Sequence, residues 1–407
     1  MKITFLRPLF VILTLTLLVV WQALFAQTST FNIQGKITDA TDHQALAYVR
    51  IYNATQHTNI VSNEAGAFEI ATNTLPLTLI LSSVGYQSST ITIKEETKNL
   101  NLHLQPATIS LDTVSIGGND ALRLLREAFR KAAPYAKSKY YGKGYIRQFT
   151  QEGDVYTGLQ EVFFNGQWQN FAMTAWQPLQ GRYANVKKAM ISFSNLSFLS
   201  FMATGYLSSN VITTPISRRP DSLYHCTVAR YVDDHTARAI AVVKCTPKDK
   251  QRSNLFSGDI YIDTKTFDVW KLDGQIINFS FDLSGPLRLK NTEVKVLINF
   301  KKSEQGSSLL DFAELRFSSK ATFGFVTAKK LTYVAKILMY AYDDQLSKGP
   351  YTIITPKIHD INVLKNTPYD RETWKNNSLI LHTTQEDEII SSFENKKLIS
   401  NYLHNGD

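Results

Sequence analysis

The stretch Asn63-Glu64-Ala65-Gly66-Ala67-Phe68-Glu69-Ile70 holds a turn and the start of a strand. Glycine at 66 suits a hairpin turn, where the backbone must enter the left-handed region at low cost. Phe68 and Ile70 then alternate toward one face, the period-two signature of a half-buried strand. Outward from this point the pattern repeats. Gly35-Lys36-Ile37-Thr38-Asp39 and Leu46-Ala47-Tyr48-Val49-Arg50-Ile51 precede it, and Val84-Gly85-Tyr86 follows. From Phe31 to Leu104 short runs of this kind are separated by turn residues, with little helical periodicity. The segment reads as an all-β module that closes one sandwich without help from later sequence.

In their order and spacing these segments closely resemble the carboxypeptidase-regulatory-like domain. That is a transthyretin-like sandwich found on metallocarboxypeptidases and on many envelope proteins, including TonB-dependent transporters. The family's usual proline before the second strand is replaced by Ala45. The resemblance implies an accessory interaction module without catalytic residues, placed at residues 27–106.

Upstream, Lys2 and Arg7 give a positive start to an apolar run from Leu9 to Leu24, which reads as a secretory signal over residues 1–26 with cleavage after Ala26. No cysteine follows to accept a lipid. Later in the chain nothing approaches the ~18 consecutive apolar residues of a membrane helix. The expected compartment is therefore outside the cytoplasm, in the periplasm or at the outer-membrane surface. The formal charge is +9 over 407 residues. In an exported chain that balance points to acidic envelope surfaces and to peripheral membrane contact, and away from nucleic acid. The Lys and Arg doublets, such as Lys187-Lys188 and Lys329-Lys330, are scattered, as solvated turns and strand edges are.

Downstream, a linker ends at Gly117-Gly118 and an amphipathic helix follows, with Leu122, Leu125, Phe129 and Ala132 as its apolar stripe and Pro134 as its end. Linker and helix occupy residues 107–136. Residues 137–345 are strand-rich. Val294, Val296, Ile298 and Phe300 alternate with Glu293, Lys295 and Asn299, and Ala313, Leu315 and Phe317 alternate with Glu314, Arg316 and Ser318. This pattern predicts a curved antiparallel sheet with one apolar and one wet face, in need of a cover on its apolar side. The fold class expected is mainly β: an Ig/transthyretin-like sandwich, then this sheet with a few helices. The segments Tyr145-Ile146-Arg147-Gln148, Gly158-Leu159-Gln160-Glu161-Val162 and Phe256-Ser257-Gly258-Asp259-Ile260 are similar to those of an envelope family in which a regulatory-like domain precedes a soluble β domain and often an outer-membrane barrel. The C-terminal extension, 346–407, shows no barrel pattern. It ends in a helix with a Thr383/Glu386 capping box.

Chemistry-bearing motifs are sparse. The eight histidines are dispersed, and no His-Glu-x-x-His, Gly-x-Ser-x-Gly or phosphate-cradling loop occurs. No catalytic, cofactor or metal residues are assigned from the sequence. Asp259, Asp263, Asp268 and Asp273 lack calcium-loop spacing. Cys226 and Cys245, the only cysteines, flank a hairpin. If His235 and Thr236 form its turn, the two face each other and a disulfide is within reach. If Asp233 and Asp234 form it, Cys226 faces Ala241 and the thiols are too far apart. The uncharged stretch Met190–Leu207 carries Phe193, Leu196, Phe198, Leu199, Phe201 and Met202 between serines. It is expected to shield the apolar face of the sheet, as core cover or as an apolar gate over a ligand. The resulting expectation is a non-enzymatic exported envelope protein whose β domain binds a protein partner or an apolar, lipid-like ligand. An envelope hydrolase or peptidase-associated protein and a structural accessory subunit of an outer-membrane assembly are the alternatives.

Overall fold

The computed structural model describes residues 30–107, 118–186, 196–209, 211–233, 239–280, 287–323, 329–370, 374, 377 and 379–399. The first seven strands form a two-sheet sandwich. One sheet has the order β4-β1-β7, from Ala67–Thr72, Phe31–Asp39 and Thr97–Leu104. The other has the order β3-β2-β5-β6, from Thr58–Val61, Arg50–Asn53, Leu77–Ser82 and Ser89–Ile93. Alternation fills the space between the sheets with Ile33, Ile37, Val49, Ile51, Phe68, Leu79 and Leu81. The turn at 63–67 forms as its residues predict: Asn63 Oδ1 accepts from the amides of Ala65 and Ala67, at 3.0 and 2.9 Å. Gly66 has φ +74°, and a Cβ there would run into the Ile37 carbonyl.

Eleven further strands make one antiparallel sheet, ordered β11-β12-β13-β14-β15-β16-β17-β8-β9-β10-β18. Its first meander, β8 (Lys139–Glu152), β9 (Val155–Gln169) and β10 (Ala172–Asn185), docks beside the last long strand, β17 (Lys329–Tyr342). On the other side of β17 run β16 (Ser308–Phe323), β15 (Leu287–Lys302), β14 (Val269–Ile277), β13 (Leu255–Asp263), β12 (Ala239–Pro247) and, at the edge, β11 (Tyr224–Asp233). The short β18 (Thr352–Ile353) pairs with β10.

One face of this sheet is apolar, with Val294, Val296, Ile298, Leu315 and Phe317 among its buried residues. It is covered by α1 (Gly118–Ala132) and α2 (Leu196–Met202). The buried side of α1 is Ala121, Leu124, Leu125, Ala128 and Ala132, whereas Leu122 and Phe129 are only partly buried. The apolar stripe is thus turned from the one expected, because alanines permit the closer approach to the sheet. The opposite face, expected to be wet, is covered too. The sandwich and the C-terminal segment with α4 (Thr384–Asn395) bring further buried groups to this face, whereas α3 (Asp360–Leu364) adds Leu364 to the apolar side beside α2. Tyr48 of the sandwich stacks on Phe312 at 4.4 Å between ring centres, and Val61 and Ile380 join the same cluster with Tyr145, Leu338 and Trp374.

Candidate functional site

Antiparallel pairing lines up a row of charges on the covered polar face. Glu314 pairs with Lys336, Lys336 with Arg147, Arg147 with Glu161, and Glu161 with Arg182, across the adjacent strands β16, β17, β8, β9 and β10. Directly opposed residues have close Cβ atoms, so their side chains meet. Arg147 Nε donates to Glu161 Oε1 at 2.9 Å, and Arg182 Nε donates to Glu161 Oε2 at 2.6 Å. The Arg147 and Glu161 side chains are 1% and 0% exposed. Such ions survive burial only when every charge is answered.

The answers come from outside the sheet. Glu386 of α4 reaches Arg147 at 3.2 Å and Lys336 at 2.9 Å. Glu64, from the turn between β3 and β4, reaches Lys336 at 2.6 Å and Arg316 at 2.8 Å. Arg147 Nη2 also donates to the Ile380 carbonyl at 2.8 Å. Burial pushes the Glu161 carboxyl up, but Arg182, His382 and Arg147 outweigh it and hold the group well below the usual carboxylate range. Glu386 is likewise lowered: Arg147 and Lys336 overcome its desolvation. The same Glu386 closes the capping box, accepting from the Thr383 amide at 2.9 Å while its own amide donates to Thr383 Oγ1 at 3.2 Å. One carboxylate therefore fixes the start of α4 and its seat on the sheet.

This lock places the sandwich so that a cleft of about 320 Å³ opens between it and the sheet. The sandwich supplies Arg50 and the turn that holds Val84, Gly85 and Tyr86; the sheet supplies Trp270, Asn299, Lys301 and Asp311. Tyr86 is held by its hydroxyl, which donates to Asp39 Oδ2 at 2.9 Å. Asp311 is 5% exposed. Its Oδ1 lies 3.5 Å from Lys301 Nζ and 3.9 Å from Arg50 Nε, and it has no hydrogen-bond partner. Burial lowers the Lys301 ammonium pKa against the opposing pull of Asp311.

The residues singled out from sequence lie elsewhere. Cys226 and Cys245 are direct partners on β11 and β12, in the register that a His235-Thr236 turn produces, with a bulge between Val228 and Arg230. Residues 234–238 fall outside the described residues. Both thiols are free and buried, and burial together with Cys226 pushes the Cys245 thiol well up. Of the apolar stretch, Phe201 is fully buried against Phe164 and Trp176, and Leu199 is 8% exposed. Phe198 and Met202 are partly buried, the side chain of Leu196 and all of Phe193 lie outside the described residues, and Leu196 opens α2. The serines of this stretch are buried as well. Ser200 Oγ donates to Gln148 Oε1 at 2.6 Å, and Gln160 Nε2 donates to Ser197 Oγ at 3.0 Å. Asp263 closes a turn by accepting from the amides of Lys265 and Thr266, and Asp268 is paired with Lys131. Among the described residues no group of three or more metal-ligating side chains converges.

The charge row and the cleft were not singled out from sequence. Arg147 and Glu161 do sit in the two segments noted for family likeness, but only strand pairing shows that they meet. The cleft joins residues more than 200 positions apart, so no local pattern could reveal it.

Comparison with known proteins agrees with the first module. A family model described as the CarboxypepD_reg-like domain matches residues 33–116, and the sandwich is such a domain. No curated protein matches the chain. Among solved structures, a LolA superfamily protein from Nitrosomonas europaea aligns at 11% identity with a TM-score of 0.21, covering 56% of this chain and 97% of that one. A likeness this loose assigns neither fold nor function to the β domain.

Proposed function

We propose that this chain is an exported, non-catalytic envelope binding protein in which the regulatory-like sandwich and the sheet act together as one receptor, with the cleft between them as its ligand site. The observation that carries the reading is the lock beside the cleft: Glu64 and Tyr48 of the sandwich and Glu386 of α4 are tied to charged or aromatic partners on three neighbouring strands, β16, β17 and β8. Domains joined by polar contacts ordinarily move relative to each other. Here the half-exposed Glu64, paired with Lys336 and Arg316, and an aromatic stack fix the two walls, and a preformed concave site between two domains is where ligands are commonly held. The acids of the lock are already committed to arginine and lysine, and Glu161 and Glu386 are also sealed from water, so they serve geometry and not proton transfer.

The export part of the reading is supported by the charged start and apolar run before Gln27. N-terminal sequencing of protein recovered from its own cells is expected to begin at Gln27; an intact Met1 on the stable form would contradict export. For the receptor part, native mass spectrometry of the full chain purified from the same cells is expected to show a bound small molecule or partner that Trp270→Leu no longer carries. A wild-type protein that carries nothing, or a variant that keeps the same load, would contradict it.

A further inference from the structure

The cleft combines two kinds of surface that few ligands satisfy at once. Trp270, with Val84 packed beside it, belongs to an apolar cluster that includes Val232 and Ile240. At the other side lie Asp311, Arg50, Lys301 and Asn299. An aliphatic tail would cover the first surface but strand the charges of the second without water, which costs several kcal/mol per unpaired group. A simple anion would meet two cations already facing Asp311, and would press its own charge against that carboxylate.

We propose that the cleft is a carbohydrate site that takes one or two neutral pyranose rings, an assignment that rests on the receptor reading above. A pyranose presents a C–H face that packs on an indole and an equatorial rim of hydroxyls that both donate and accept. The polar side of the cleft offers the matching set. Asp311 Oδ1 is itself enclosed and stands at ion-pair distance from Lys301 and Arg50, so it holds these two cations at the wall, while the hydroxyls of Ser82, Ser83 and Ser88 in the same lining can accept from a sugar hydroxyl. Arg50, Lys301 and the Asn299 amide supply donors around it. The volume of about 320 Å³ lies at the small end of the ~300–1,000 Å³ range of ligand sites, which fits a mono- or disaccharide. Gly85, in the lining of the cleft, has φ +99° with open space where a Cβ would stand, so the turn adds no side chain there.

Saturation-transfer NMR on the full chain tests this, with neutral hexoses, N-acetylhexosamines and their β-linked disaccharides as probes and octanoate and inorganic phosphate as comparators. At least one neutral sugar is expected to receive saturation through its ring C–H protons. Its affinity is expected to fall by about tenfold, the equivalent of one good contact, in Trp270→Leu and in Asn299→Ala. Asp311→Asn is expected to weaken it similarly, with a thermal melt confirming that each variant folds. Transfer to octanoate or phosphate but to no sugar would overturn the carbohydrate assignment and leave the receptor reading standing. Transfer to no probe at all, or sugar binding unchanged in Trp270→Leu and Asn299→Ala, would overturn the assignment of the site itself.

Discussion

Arg147 stands between Ile146 and Gln148 in a strand whose residues are buried on both faces. A lone cation there would be expelled; what retains it is Glu161 on β9 and Glu386 from more than 200 residues away. Removing the guanidinium leaves Glu161 and Glu386 short of a partner in a site without water. Arg147→Ala is therefore expected to lower unfolding free energy by about 3–5 kcal/mol, the usual result of breaking a buried pair from one side. Denaturant titration measures it; a loss within experimental error would mean the row is not closed. The carboxyls of Glu386 and Glu161 are held below their unfolded value near 4.5, so the stability they contribute is fully present above that pH. It is lost as pH falls through their depressed folded values, because the unfolded chain then takes up protons first. Glu386→Gln is expected to flatten the fall of stability below pH 4.5, and an unchanged acid limb would contradict the assignment. At this scale the sequence was only partly legible. The capping role of Glu386 follows from a three-residue spacing, while its pairing with Arg147 and Lys336 depends on strand order that no local pattern encodes.

The elements show why alternation read the sheet well and its surroundings less so. Period two depends on one strand's own residues, so β15 and β16 bury the positions it predicts. Whether the other face is wet depends on what packs there, and the sandwich covers Glu314 and its neighbours. In α2 the serines between the apolar residues are buried too, where they bond to Gln148 and Gln160. Phe201→Asp places an unpaired charge at a fully buried position, and a steep drop in melting temperature is expected. Phe198→Asp, at a partly buried position, should cost less; equal melting temperatures would show that α2 does not pack as described. On the neighbouring hairpin, the raised Cys245 thiol and its burial predict that a bulky maleimide labels the folded protein slowly and the denatured protein at once. Rapid labelling of the folded chain would place β12 at the surface.

The whole molecule has two cores, one inside the sandwich and one between the sheet and its helices. The sandwich core is closed by its own strands, so residues 31–104 expressed alone are expected to unfold cooperatively. What ties the cores together is a third cluster in which Tyr48 and Val61 of the sandwich meet Tyr145, Phe312 and Leu338 of the sheet and Trp374 and Ile380 of the C-terminal segment, beside the charge row. If that seam is as tight as its burial indicates, neither domain can open without exposing ions, and the cleft keeps its shape in the free protein. Calorimetry of the full chain beside the isolated sandwich tests this directly. A single endotherm is predicted for the full chain, with the isolated sandwich melting at a lower temperature. Two separate endotherms, one superimposed on that of the isolated sandwich, would contradict the claim that sandwich and sheet form one receptor.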